Sequence, residues 1–137
     1  MLKSNDFDSL PKIIAVDFDG TLVEDNYPEI GKINKEMFEL IIKMQEKGVK
    51  IILWTSRNFL KGRDLLEEAV EFCKDNGLEF DAINENIDEV QELTGEDTRK
   101  VYADVYLDDK SVPAIMSPLY WCDLVGLNWM EDLFPWR

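Results

Sequence analysis

Apolar residues fall along this chain in two alternating rhythms. Ile13-Ile14-Ala15-Val16 and the run Val49 to Trp54 are short, unbroken and rich in β-branched residues, the mark of strands buried on both faces. Lys12 to Val16 is the first predicted strand. Between the two runs, Met37, Leu40, Ile41 and Met44 recur every three or four residues. That spacing predicts a helix capped by Asn34, running to about Lys47 and ended by Gly48. A second helical stripe (Leu65, Leu66, Ala69, Val70, Phe72, Cys73) predicts a helix from about Arg63 to Asp75, with Asn76-Gly77 terminating it. Leu78 to Ile83 and Tyr102 to Leu107 read as a third and a fourth strand. Met1 to Leu10 reads as a frayed lead-in, Thr21 to Gly31 as a loop or a short hairpin, and Asn84 to Leu93 as an acidic loop or short helix. Leu124-Val125-Gly126-Leu127 suits either a fifth strand or a loop packed on the sheet.

Strands that alternate with helices imply an α/β domain with a parallel sheet, and right-handed crossovers put helices on both of its faces. All strand carboxyl ends then share one edge, the edge at which such sheets bind ligands. Asp17, Asp19, Thr55 and Asp108 each follow a predicted strand, so the topology gathers four polar residues scattered in sequence. Two carboxylates spaced as Asp17 and Asp19 repel one another when both are ionised. A divalent cation relieves that repulsion, and oxygen-only ligands suit Mg²⁺. The plainer alternative is a strand followed by an Asp-Gly turn.

Composition narrows the chemistry. The 137 residues suffice for one domain with a real core, and 45% apolar with 32% charged residues is ordinary for a soluble globular protein. A net charge of −14 argues against nucleic-acid polymers and anionic membranes as partners. It leaves small phosphorylated substrates open, because a bound cation inverts the local field. There is no histidine, so acid–base work falls to carboxylates, lysine or tyrosine. Cys73 and Cys122 fit no metal spacing and read as reduced thiols. Met1 to Lys12 lacks the apolar core of a secretory leader, and no apolar run approaches the length of a membrane span. A cytoplasmic protein is expected.

The order Asp17-Phe18-Asp19-Gly20-Thr21-Leu22, then Ile51-Ile52-Leu53-Trp54-Thr55, then Val105-Tyr106-Leu107-Asp108-Asp109 resembles the haloacid dehalogenase superfamily of phosphotransferases. The resemblance covers about Lys12 to Asp109. It implies a three-layer Rossmann-like sheet and a phosphomonoesterase acting on a soluble phosphorylated metabolite of sugar or nucleotide type. Asp17 would be the nucleophile that attacks phosphorus, and carboxylates are established nucleophiles in such transfers. Asp19 would be the general acid and then the general base. Thr55 would hold a phosphoryl oxygen. Mg²⁺ would be bound by the Asp17 carboxylate, the Asp19 backbone carbonyl and Asp108. Asp109 would bind the metal through water or only hydrogen-bond nearby backbone. The family's phosphate-neutralising lysine falls on Lys100, with Arg99 and Lys110 as alternatives.

Other residues carry weaker signals. Arg57 could contact substrate or pair with one of the many carboxylates. Asp104 reads as structural, Trp54 as core, and the acidic residues from Asp88 to Asp97 as a solvated face. Neither Thr21 to Gly48 nor Ser56 to Arg99 leaves room for a cap, so residues 1–137 are expected to form one domain with an open site. Such a site accepts bulky phosphates or borrows a lid from a second subunit in a homo-oligomer. The aromatic tail (Trp121, Trp129, Phe134, Trp136) could serve that contact, although sheet packing is its simpler use. Two other classes compete: a non-catalytic interaction protein, and a receiver module. The receiver fits less well, because no aspartate immediately follows Ile83-Asn84 at the end of the third strand.

Overall fold

The computed structural model describes residues 4–110 and 126–127. A parallel four-stranded sheet organises them. Its strands are β1 (Ile13–Val16), β2 (Lys50–Leu53), β5 (Ala82–Ile83) and β6 (Val105–Leu107), in the order β5-β2-β1-β6. A separate antiparallel pair, β3 (Phe59–Leu60) and β4 (Arg63–Asp64), forms a hairpin. The helices are α1 (Lys35–Glu46), α2 (Leu65–Asp75) and α3 (Asp88–Thr94).

Both sheet faces are covered, as the unbroken apolar runs require. Along β1, Ile14 and Val16 join a core with Ile51, Leu53, the α1 residues Phe38, Leu40, Ile41 and Met44, and the α2 residues Ala69 and Cys73. Ile13 and Ala15 face the other way, into a smaller core with Ile52, Ile87, Val101 and Val90 of α3. The result is the expected three layers. The Asn34 side chain accepts from Met37 N at 3.2 Å and starts α1. Asp64 does the same for α2 through Glu67 N at 3.0 Å. Each thereby satisfies a backbone donor that the first helical turn leaves unpaired.

The structure shortens two expected strands, for a shared reason. Tyr102 to Leu107 pairs only from Val105, and Leu78 to Ile83 only from Ala82. The Asp104 carboxylate accepts Ile13 N, and the Asp81 carboxylate accepts Ile51 N, each at 2.8 Å. These side chains take ladder donors that a strand carbonyl would otherwise fill, so regular pairing starts only after each aspartate, three residues past Tyr102 and four past Leu78. Asp104 is thus structural, as expected. The Arg63 to Asp75 helix begins at Leu65, because Arg63 and Asp64 belong to the hairpin. The hairpin turn, Lys61-Gly62, has positive φ at both residues (49° and 81°). Two such residues match the twist of a tight hairpin. The lead-in forms a 3₁₀ turn at Ser4–Ser9, with Phe7 packed 5.1 Å from the Tyr102 ring. The acidic stretch contains α3. Of the Leu124 to Leu127 segment, only Gly126 and Leu127 are described, and Leu127 packs on the larger core. Cys122 and the aromatic tail lie outside the described residues.

Candidate active site

The ladder bonds continue one residue past each strand. Asp17 N donates to Leu107 O, Trp54 N to Val16 O and Asn84 N to Leu53 O. The residues that follow β1, β2, β5 and β6 therefore stand side by side at the carboxyl edge. They line a cavity of about 730 Å³ whose walls include Asp17, Asp19, Thr55, Asn84, Asp108 and Asp109. Asp25, Tyr27, Trp54, Ser56 and Lys110 complete the wall. Trp54, expected in the core, is half-buried and packs on the smaller cluster while lining this cavity.

Carboxylate oxygens of Asp17, Asp108 and Asp109 lie within 4.8 Å of one another. Gly20 permits this approach. Its φ is +84°, and a Cβ there would run into the Asp109 carboxylate. Burial pushes the Asp17 carboxyl up to about 7, with further repulsion from Asp108, Asp109 and Asp19. A hydrogen bond from the Phe18 backbone opposes the rise. Asp109 Oδ1 is buried with no hydrogen-bond partner among the described residues. Three crowded carboxylates, one carrying an orphaned buried oxygen, suit a hard divalent cation.

The other expected residues are placed as follows. Thr55 lies at the cavity, its N–H donating to Asn84 Oδ1 at 2.8 Å and its Oγ1 accepting Arg57 N at 3.2 Å. The Asp19 carboxylate is outside the acidic trio. It accepts two bonds from Arg57, Nε to Oδ2 and one terminal nitrogen to Oδ1, each at 2.8 Å. Of the two readings of Arg57, the ion pair is the one formed. Lys100 is not brought to this cavity. Its Nζ sits 5.2 Å from the Tyr106 ring centroid. Its segment is tied to the start of α3, where Asn86 Oδ1 accepts Tyr102 N. Lys110 does line the cavity, with Nζ 3.9 Å from Asp109 Oδ2. Sequence reasoning missed Tyr27, Asp25 and Asn84. Only Asn84 left a trace, as a polar residue directly after a strand, where it adopts a left-handed φ of 54°.

The family model of the haloacid dehalogenase-like hydrolases matches residues 14–117, a span that contains every one of these edge residues up to Lys110. The chain belongs to that family. A solved structure similar to this hydrolase is that of a conserved protein from Bacteroides thetaiotaomicron. It is 34% identical, with a TM-score of 0.70, over 91% of this chain and 98% of that one. No curated protein matches the hydrolase. Among its described residues, no helix is long and apolar enough to cross a membrane.

Proposed function

We propose that this hydrolase is a Mg²⁺-dependent phosphomonoesterase for a small phosphorylated metabolite, working through a phosphoryl group carried on Asp17. The observation that carries the reading is the acidic trio at the sheet edge, with Asp19 beside it but held apart on Arg57. The trio would hold Mg²⁺ through Asp17, Asp108 and Asp109, with the Asp19 carbonyl as a further ligand. When bound, the ion screens the carboxylates from the phosphoryl oxygens and draws charge from the transferring group.

The chain's own residues then divide the work. An Asp17 carboxylate oxygen attacks phosphorus as the bond from phosphorus to the ester oxygen breaks. The leaving oxygen takes a proton from Asp19 and departs as an alcohol. In the second half Asp19 takes a proton from water, whose oxygen attacks phosphorus. The bond to Asp17 breaks, phosphate leaves, and Asp19 is again protonated. Two carboxylates thus do the work that histidine does elsewhere. Thr55 orients a phosphoryl oxygen, with its own N–H pinned by Asn84. Lys110 stands on the cavity wall where Lys100 does not, so it is the lysine we assign to the phosphoryl charge. We read residues 1–137 as one domain without a cap.

The test is phosphate release from p-nitrophenyl phosphate and a metabolite panel, with Mg²⁺, with EDTA, and with Asp17→Asn. Metal-dependent turnover lost in the variant is the expected result. Undiminished turnover by folded Asp17→Asn would overturn the reading.

A further inference from the structure

Arg57 is the most constrained charged side chain in the described structure. Its side chain has no exposed surface, although it carries a full charge. Buried charges survive only when paired and fully hydrogen-bonded. Three segments supply the partners. Asp19 takes two guanidinium bonds at 2.8 Å, the Glu29 carbonyl one at 3.0 Å, and the Leu65 carbonyl one at 3.3 Å. The guanidinium carbon also lies 5.0 Å from the Phe18 ring centroid and 5.4 Å from that of Tyr27. Phe18 belongs to the nucleophile loop. Tyr27 and Glu29 belong to the 21–31 loop, whose Asp25 and Tyr27 form the outer cavity wall. Leu65 opens α2. At the surface, Arg63 joins the Glu29 carboxylate to Glu68 on α2, which reinforces the same junction.

Neutralising Asp19 would need only an ion pair. Two backbone carbonyls from separate segments serve a different purpose: they fix the plane of the guanidinium. A planar fork fixed in this way fixes the plane of the carboxylate it grips. Each carboxylate oxygen keeps a second lone pair, and the Asp19 side chain is 18% exposed. That lone pair is the one available for proton exchange with a leaving oxygen or a water.

We propose that Arg57 is a positioning residue that aims the Asp19 carboxylate at the phosphoryl site and locks the 21–31 loop to it as one rigid unit. The kinetic half of this inference rests on the phosphatase reading above; the mechanical half does not. The experiment therefore has two arms, run on the full chain with Arg57→Lys, Arg57→Gln and Asp19→Asn. Arg57→Lys keeps a cation opposite the Asp19 carboxylate, so it keeps the test decisive if Arg57→Gln or Asp19→Asn, which leaves a buried charge unpaired, fails to fold.

In the first arm, amide hydrogen exchange is followed without substrate. In Asp19→Asn and Arg57→Lys, exchange in 25–31 rises about tenfold or more while the central strands stay protected, because local opening is governed by local contacts. Unchanged exchange in 25–31 in both variants overturns the clamp. In the second arm, single-turnover release of the leaving group, the first half-reaction alone, is measured for an alkyl phosphate and for p-nitrophenyl phosphate, whose leaving group needs little proton transfer. Misaimed proton delivery in Arg57→Lys slows that step for the alkyl ester about tenfold more than for the aryl ester, within the range that general acid catalysis supplies. Equal losses on both esters assign Arg57 a merely structural role and overturn the positioning claim. A wild-type protein inert toward every ester would refute the phosphatase reading and the aiming of proton transfer, leaving the clamp to be judged on exchange alone.

Discussion

Replacing Asp17 with asparagine should make the metal-free protein more stable while abolishing its activity. Burial and the neighbouring acids lift the Asp17 carboxyl from 3.8 to about 7 in the folded state. The folded protein therefore holds this proton more tightly than the unfolded chain does. The resulting stability is full below about pH 4 and is lost as pH rises through about 7. Fully shielded from water, a difference of about three pH decades is worth about 4 kcal/mol. Asp17 is only part-buried, and solvent screening reduces this to about 2 kcal/mol. Asparagine keeps an oxygen that can accept from Phe18 N and carries no charge. In EDTA at pH 8, Asp17→Asn should thus be more stable than wild type by about 2 kcal/mol. For a chain of this size that is a Tm rise of roughly 6 °C. Near pH 4 the gap should close. Saturating Mg²⁺ should close it at pH 8 as well, because binding to the folded state alone stabilises wild type by mass action. Thermal and urea melts of both proteins at pH 4 and pH 8, with EDTA or Mg²⁺, make the comparison. An Asp17→Asn variant no more stable than wild type in EDTA at pH 8 would refute the claim that crowded carboxylates strain this site.

Further outcomes follow from the same geometry. Gly20→Ala should weaken Mg²⁺ binding at least tenfold by calorimetry, because the Cβ meets the Asp109 carboxylate and the φ of +84° disfavours any side chain. Lys110→Ala should lower kcat more than Lys100→Ala does, by about 100-fold for removal of one charge-stabilising group; equal effects would reopen the choice between them. Ile52→Ala, which empties a fully buried site in the smaller core, should cost about 3 kcal/mol by denaturant unfolding. In a Cys122→Ser background, the Cys73 thiol should resist a disulfide reagent at pH 8 until the protein unfolds, because burial pushes it up to about 12.

Much of this architecture is legible in the sequence. The buried strands, the alternation with helices and the caps Asn34 and Gly48 are local features, readable from a few neighbouring residues. The same holds for Asp17, Asp108 and Asp109. Asp17 and Asp108 each follow an apolar run directly, with Asp109 next in line, and parallel strands share one carboxyl edge, so knowing the strands places the acids. Residues whose roles depend on distant partners were not legible. Asp19 and Arg57 are 38 positions apart, and only packing shows that the two clasp one another. Asp81 and Asp104 shorten their strands by reaching backbone donors on neighbouring strands. Lys110 lines the cavity and Lys100 does not, because Asn86 bonds Asp97 and Tyr102 and so holds the 97–102 segment. Backbone periodicity sets where a strand ends, and the sequence by itself determined that much. Which side chains meet across the edge is set by crossings, loop paths and the burial of one guanidinium, and only the tertiary structure decided it.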